Sequence, residues 1–166
     1  MMDIDKLKQY IDYNPDTGIL TWKASQHQLS NRLKVGGECG SNVDSRGYKR
    51  VCFMGKQYRA HRVAWALHYG QEPVDQIDHI NGNRIDNRVC NLRLATNTEN
   101  SRNSGLAKNN TSGVTGITWH KQCNKWVAQI TVNRKNHNLG LYVDKAEAIK
   151  VRKEAEKLHF GQFIRR

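Results

Sequence analysis

Hydrophobic and polar positions follow two periods along this chain, and the changes of period divide it into short elements. Apolar residues at helical spacing, as in Ile4, Leu7 and Ile11, predict amphipathic helices, whereas alternation predicts half-buried strands. The predicted order is helix 3–13, turn 14–18, strand 19–23, loop 24–34, a hairpin of strands 47–53 and 57–60, helix 61–69, strands 76–80 and 91–95, a helix from 97, strands 114–119, 125–132 and 136–142, and helix 145–159. Elements this short predict an α+β fold built from small modules.

The end of the chain predicts a three-stranded antiparallel sheet packed on one helix, with an apolar stripe of Ala146, Ile149, Ala155 and Leu158. The polar, glycine-bounded stretch before it is typical of a linker. We therefore expect an N-terminal basic α+β module at 1–60, a central module at 61–104, a linker at 105–113 and a C-terminal module at 114–166.

Charge distinguishes these segments. The chain carries 27 Lys and Arg against 15 Asp and Glu, a net charge of +12. Such an excess favours a polyanionic partner, because contacts with phosphates release condensed counterions; a basic protein without such a partner is the alternative. Residues 1–60 have a net charge of +4 and residues 105–166 one of +8, whereas residues 61–104 hold 5 basic and 5 acidic side chains. The middle segment thus keeps the carboxylates that a metal centre needs.

The four cysteines, Cys39, Cys52, Cys90 and Cys123, form no C-x-x-C pair. We therefore expect neither a structural zinc nor a disulfide framework. No apolar run approaches the roughly 20 residues of a membrane span, and no signal-peptide pattern opens the chain. These features predict a soluble, intracellular protein without a membrane partner.

Residues 77–100 combine an Asp-His pair at the end of one strand, a loop with glycine and several asparagines, a second strand, and a helix opened by the capping box Thr96-x-x-Glu99. Each feature alone is ordinary turn or strand chemistry. Their spacing together favours a site that holds one divalent cation and one general base against a phosphodiester.

Four residues of this segment suit such a site. His79 titrates near neutrality and fits the role of the base. Asp78 is a hard oxygen ligand, and Asn100 offers a second oxygen, a donor set that suits magnesium or manganese. The amide of Asn91, on the second strand, is expected to accept a hydrogen bond from the His79 ring. His61, outside the segment, is more plausible as a structural or supporting histidine than as a ligand.

The motif Asp78-His79-Ile80-Asn81-Gly82-Asn83, with Asn87-Arg88 and Asn91-Leu92-Arg93, closely resembles the HNH endonuclease family of phage and group I intron homing enzymes. The segments 58–65, 13–18 and 20–23 are similar to phage members as well. The resemblance implies a ββα-metal (His-Me finger) nuclease core flanked by small α+β modules.

The resemblance also assigns roles. It implies His79 as general base, Asn91 as its orienting residue, and Asp78 and Asn100 as metal ligands. Many relatives have a histidine where this chain has Asn100, so the chain is a His-Asn-Asn variant, and an oxygen ligand there favours Mg²⁺ or Mn²⁺ over zinc. Asn103, one turn further on, is the competing ligand.

The C-terminal segment looks like an AP2-type DNA-binding domain, in stretches 112–119, 125–130, 139–140 and 147–148. In such domains the sheet lies in the major groove. Positions that are often arginine in plant members are Thr and Gln here, which favours phosphate over base contacts. Trp126 is expected to pack in the sheet core. The predicted DNA-contacting residues of the chain are Lys49, Arg50, Arg59, Arg93, Trp119, Lys121, Lys125, Gln129, Arg134 and Lys135.

Together these features predict a metal-dependent DNA endonuclease of the homing type, which nicks one strand of double-stranded DNA at a preferred site. We expect it in the cytoplasm of a bacterial host cell, encoded by a phage or mobile element, with no obligate protein partner. Two alternatives stay open: a catalytically weak or inactive DNA-binding regulator, and a structure-directed phage nuclease that acts on branched or RNA substrates.

Overall fold

The computed structural model describes residues 2–23, 34–103, 106 and 109–164. The chain has a mixed α+β fold of small sheets and helices, divided into two compact units, one ending at Asn100 and the other beginning at Ser101. The predicted loop at 24–34 lies outside the described residues except for Lys34, and so do positions 105, 107 and 108 of the predicted linker.

The first unit opens with a helix and a hairpin: α1 (Ile4–Tyr10), β1 (Ile11–Asn14) and β2 (Ile19–Trp22). Sequence periodicity extends the helix to residue 13, but it ends at Tyr10, because residues 11–14 pair with β2 in antiparallel register. The predicted turn between the strands is confirmed; its glycine, Gly18, has a φ of +73° and donates its N–H to the Asn14 carbonyl over 2.9 Å.

A three-stranded sheet follows, with β4 in its centre: β3 (Asn42–Val43), β4 (Lys49–Phe53) and β5 (Lys56–Arg59). The predicted hairpin turn between β4 and β5 is present, and both of its central residues have positive φ angles. Helix α2 (Ala60–Tyr69) continues from β5 and ends at Gly70, which has a left-handed φ of +71°. The core of this unit joins α1, both hairpins and α2 through Leu7, Ile11, Leu20, Trp22, Val51, Phe53, Ala60 and Val63.

The segment with the Asp-His pair forms an antiparallel strand pair, β6 (Gln76–His79) with β7 (Leu92–Ala95), followed by α3 (Asn97–Arg102). The predicted capping box is confirmed: the Thr96 hydroxyl accepts the Glu99 N–H over 3.3 Å, and the Thr96 N–H donates to the Glu99 carboxylate over 2.8 Å. Asn91 lies in a 3₁₀ turn before β7 and not on the strand, one residue earlier than predicted.

The second unit contains an antiparallel sheet of β8 (Ile117–His120), β9 (Lys125–Val132) and β10 (Lys135–Tyr142), with β9 in the centre, and α4 (Lys145–Phe160) packs against it. These elements lie where the sequence predicts them. No helix in the described ranges has the length and apolar character needed to cross a membrane.

The predicted apolar stripe of α4 is wrong. Ala146 is exposed and Leu158 is 80% exposed, while the buried residues of the helix are Ala148 and Arg152. Ala148 packs with Ile117 and other sheet residues in the small core. The helix has few large apolar side chains, so its spacing fits more than one stripe, and contact with the sheet selects the one that contains Ala148.

Candidate functional site

The Asp-His pair is desolvated. Asp78 and His79 each have a relative exposure of 4%, at the end of β6. The preceding residue of the strand, Ile77, packs with Ala64 and Trp65 of α2, so the helix covers one side of the strand. A carboxylate and an imidazole so deeply buried need fixed polar partners, because burial without such partners is costly.

Arg93 is the partner of Asp78. The two residues face each other in the β6–β7 register, and Arg93 donates Nε–H and Nη2–H to Asp78 Oδ2 over 2.8 and 2.6 Å. The Arg93 side chain is only 13% exposed. Arg93, predicted from sequence to contact DNA, therefore lies against the proposed ligand Asp78, where it neutralises the carboxylate and fixes its orientation.

The His79 ring is held on two sides. Its Nε2 lies 3.3 Å from Asn87 Oδ1, and its ring meets the His61 ring edge-on, with 5.1 Å between centroids. With the Asn87 oxygen as acceptor, Nε2 carries the proton and Nδ1 is the basic nitrogen. Burial lowers the pKa of His79, while the Asn87 hydrogen bond and the charge of Asp78 oppose that shift. The imidazole is therefore neutral at neutral pH, the form that accepts a proton.

Asn91 does not bind the His79 ring as expected from the sequence. Its Oδ1 accepts the Asn81 N–H over 2.9 Å, and its Nδ2 donates to the Asp86 carbonyl over 2.8 Å. Asn91 therefore braces the loop between the strands, and Asn87 of that loop meets the ring. Sequence reasoning missed Asn87, because a separation of eight residues across a loop predicts no contact with His79.

The loop has its own internal support. The side chains of Asn81 and Asn83 accept backbone N–H groups two residues further on, over 2.8 and 3.2 Å, a form of Asx turn. Asp86 accepts two hydrogen bonds from the Arg88 guanidinium over 2.8 and 2.6 Å, and these bonds lower the pKa of Asp86 to about 2. The loop is therefore defined by side-chain to backbone bonds.

The N-terminal turn supports the same loop. The Tyr13 hydroxyl donates to the Asn87 carbonyl over 2.7 Å, and Val89 donates its N–H to the Pro15 carbonyl over 3.1 Å. A Cβ on Gly18 would lie 2.5 Å from Arg88 N and 2.6 Å from the Asn87 carbonyl carbon. The glycine-containing turn is thus required for close backbone approach behind Asn87 as well as for its own conformation.

Asn100 lies on α3 beside β6. Its Nδ2 donates to Gln76 Oε1 over 2.6 Å. Gln76 and Asp78 are two residues apart on the strand and so point to the same face. The contact places Asn100 on the face of Asp78 and assigns its amide oxygen, not its nitrogen, as the atom for a cation. The alternative ligand Asn103 is buried in the second unit.

The oxygen pair Asp78 and Asn100 is a weak metal signature by composition. Within the described ranges, no group of three or more His, Cys, Asp or Glu side chains is placed to hold a metal ion. An Asp and an Asn suit a hard cation that keeps several waters, which is the behaviour of magnesium. The donor chemistry of the site therefore fits Mg²⁺ or Mn²⁺.

The predicted DNA-contacting residues occupy two surfaces. In the first unit, Lys49 pairs with Glu38 over 2.7 Å and Arg50 donates to Gln57 over 2.7 Å. In the second, four exposed or half-exposed basic residues lie at the turns and on β9: Lys121, Lys125, Arg134 and Lys135.

Gln129 and the two tryptophans complete the second surface. Gln129 Oε1 accepts from Asn136 Nδ2 over 3.0 Å on the face of the sheet away from α4. Trp126 packs against the small core, as predicted. Trp119 pairs with Trp126 in the β8–β9 register, with 5.0 Å between ring centroids, and so lies on the α4 side of the sheet, 45% exposed.

Known proteins resemble this chain mainly in its first unit. The family model for HNH endonucleases matches residues 58–102, which include β6, β7, α3 and the loop that holds Asn87. Protein 3.8 of Escherichia phage T7 is 40% identical over 84 residues, which is 50% of this chain and 69% of that protein.

One solved structure, described as "DNA binding and cleavage by the HNH homing endonuclease I-HmuI", is similar along most of the chain. It has 19% identity and a TM-score of 0.45 over 97% of this chain and 90% of that one. A TM-score of this size does not establish a shared fold. The family match and the phage relative together show that the chain belongs to a phage protein family with an HNH endonuclease domain, the family of protein 3.8 of phage T7.

Proposed function

We propose that this protein is a metal-dependent endonuclease that hydrolyses phosphodiester bonds in double-stranded DNA. The observation that carries the proposal is the buried His79 ring, neutral and fixed by Asn87, inside the segment that the HNH family model matches. The net charge of +12 supports a nucleic acid as substrate. The phage relative supports the cytoplasm of an infected bacterium as the place of action.

In the proposed reaction, Nδ1 of His79 takes a proton from a water molecule as its oxygen forms a bond to phosphorus. The bond from phosphorus to the 3′-oxygen breaks, and that oxygen takes a proton from solvent. The products are a 5′-phosphate and a 3′-hydroxyl. The hydrogen bond of Nε2 to Asn87 keeps the proton on that nitrogen and directs Nδ1 at the water.

Asp78 and Asn100 are the proposed ligands of a magnesium or manganese ion. A bound cation neutralises the charge that grows on the phosphate and on the leaving oxygen. The chain prepares both ligands: Arg93 fixes the Asp78 carboxylate, and Gln76 orients the Asn100 amide by accepting its N–H. Asn103 remains the alternative to Asn100.

The finer features of the proposal are a single cut per binding event, a preferred site, and a homing role. One copy of the chain has one such centre, so a monomer nicks one strand at a time. The proposed second-unit contacts, Lys121, Lys125, Arg134 and Lys135, are exposed or half-exposed cations that fit backbone phosphates, and an AP2-like role for the second unit is part of the proposal.

The test is incubation of supercoiled plasmid with the full chain and Mg²⁺, and in parallel with Mn²⁺, Zn²⁺ or a chelator. We expect conversion to the nicked circle with Mg²⁺ or Mn²⁺, none with the chelator, and a loss of roughly 10²- to 10⁴-fold in rate for His79→Ala, the usual contribution of a general base. His159→Ala is the matched control, because His159 is an exposed histidine of α4. An intact plasmid with every ion sinks the enzyme proposal, and equal nicking by His79→Ala sinks the assignment of the base.

One observation favours a second candidate, a structure-directed nuclease. The sheet face away from α4 carries Thr118, Gln129 and Thr131, and Gln129 is engaged by Asn136, so this face has few groups for reading bases. Branched and linear duplexes of the same sequence distinguish the two candidates. Faster cutting of the branched duplex, at positions set by the junction, supports the second; a cut at one sequence in both duplexes supports the first.

A further inference from the structure

Beside the proposed catalytic histidine, the first unit has a pocket of about 370 Å³ that none of the roles above uses. Nine residues line it, all in the described part of the chain; four are arginines and none is acidic: Arg46, Arg59, Arg62 and Arg84. His61 and the proposed metal ligand Asn100 are also in its wall. The pocket is therefore strongly cationic and shares a wall residue with the proposed metal site.

The arginines are placed by a tight turn that the sequence motif does not include. Asp44 accepts the N–H groups of Arg46 and Tyr48 over 2.9 and 3.0 Å, and Gly47 within the turn has a φ of +82°. Arg84, from the loop that carries Asn87, donates Nη1–H to the Arg46 carbonyl over 2.6 Å. The turn and the loop therefore form one framework around the pocket.

The Tyr48 ring organises the charged groups. The guanidinium carbons of Arg59 and Arg84 lie 4.6 and 5.0 Å from its centroid, a distance typical of cation–π contacts. The His61 ring meets the same ring at 5.1 Å and the His79 ring at 5.1 Å. Tyr48 and His61 thus connect the arginines to the proposed base through a continuous stack of rings.

Three of the four arginines have no ion-pair partner in the described part of the chain. Among these residues, no carboxylate lies within ion-pair distance of Arg46, Arg59 or Arg84, whereas Arg88 and Arg93 each have one. Burial lowers the pKa of His61 to about 3, so its ring is neutral and can donate an N–H to an anion without adding charge. Planar guanidinium groups around a cavity are suited to phosphate oxygens.

We propose that this pocket binds a backbone phosphate of the DNA strand that is cut, next to the reacting phosphate, through Arg46, Arg59 and Arg84 arranged on Tyr48. The inference rests on the proposed function, because the pocket borders Asn100 and the His61–His79 ring pair. Its role is to seat the strand, so it acts on substrate binding more than on the chemical step.

The test measures binding of the His79→Ala protein to a short duplex at several salt concentrations, without divalent ions. We expect Arg46→Gln and Arg59→Gln each to reduce the slope of log K against log salt by about 0.9, the value for one lost phosphate contact. Tyr48→Leu should reduce the slope less. Lys6→Gln is the control, because Lys6 is exposed and pairs with Asp3. Thermal melting shows that each variant is folded.

Each result has a fixed meaning. Wild-type slopes for both arginine variants overturn the proposal, and so does an equal fall for Lys6→Gln. Binding of dAMP as tight as that of the duplex also overturns it, because the pocket is then a mononucleotide site. In proteins with His79 intact, KM for the duplex should rise more than kcat falls. If wild type cuts nothing while the slopes fall as expected, the nuclease proposal fails and the phosphate pocket stands.

Discussion

The loop around His79 and the sheet of the second unit both carry polar residues at proposed points of contact with DNA, but they are built differently. In the loop, Asn87 and Asn91 are at most 5% exposed, and each is fixed by bonds across the fold. On the sheet, Arg134 and Lys135 are exposed at a turn. Chemistry on a phosphodiester needs groups that are already oriented and desolvated, whereas attraction of a polyanion needs only exposed charge. Substitutions in the loop should therefore act sharply, and those on the sheet gradually and with dependence on salt.

The buried ion pair should give the largest effect. Arg93→Met leaves the Asp78 carboxylate buried without its cross-strand partner, and we expect a loss of about 3–5 kcal/mol in the free energy of unfolding, as for other broken buried pairs. Urea unfolding measures it. The double variant Asp78→Leu/Arg93→Met should recover much of that stability but no nuclease activity. A single variant as stable as wild type contradicts the view that this region depends on fixed partners.

Asn87→Ala should come next. Loss of an orienting partner of this kind typically costs 10–100-fold in activity, so we expect a fall of roughly that size in kcat, with Asn42→Ala, at an exposed strand position, as the control. The pH profile separates positioning from folding. The Asn87 bond raises the pKa of His79 against the larger effect of burial. Its removal should move the acid limb of the rate profile to lower pH, and Asn87→Asp, which adds a negative charge, should move it to higher pH. An unmoved limb in both variants contradicts the role of Asn87.

Gly18→Ala tests whether the N-terminal turn supports the loop. Both Gly18 and Gly55 have positive φ angles, +73° and +75°, but only at Gly18 would an added Cβ meet backbone atoms within 3 Å. We expect Gly55→Ala to cost about 1–2 kcal/mol from the left-handed conformation alone, and Gly18→Ala to cost more and to lower activity. Thermal unfolding and nicking rates measure the two. Equal costs for both variants contradict the proposed support.

The exposed charges should give the smallest effects. Arg134→Gln and Lys135→Gln should each weaken duplex binding only modestly, reduce the salt slope by about 0.9, and leave the free energy of unfolding within about 0.5 kcal/mol of wild type. Lys157→Gln, on α4, is the control. A loss of binding that does not diminish with salt contradicts the contrast between the two regions, because it requires an oriented contact on the sheet.

Local patterns carried much of the fold. The Asn-Pro-Asp-Thr-Gly turn, the Met54–Gly55 hairpin, the capping box and the strand β9 form as predicted, because each depends on residues close together in the chain. The failures share a cause. Helix α1 ends at Tyr10 because Ile11 pairs with a distant strand, and α4 buries Ala148 and Arg152 because the sheet selects its face.

For the site, the sequence by itself determined the chemical groups and their order: a base, a carboxylate and two asparagines at fixed spacing, between two basic segments. Tertiary structure alone decided which groups meet. It placed Asn87 instead of Asn91 at the His79 ring, turned Arg93 inward against Asp78, and brought Gly18 and Tyr13 behind the loop. Residue types and spacing define what a segment can do. Contacts across a loop or between distant strands depend on packing, whose energy belongs to the whole fold and to no local pattern.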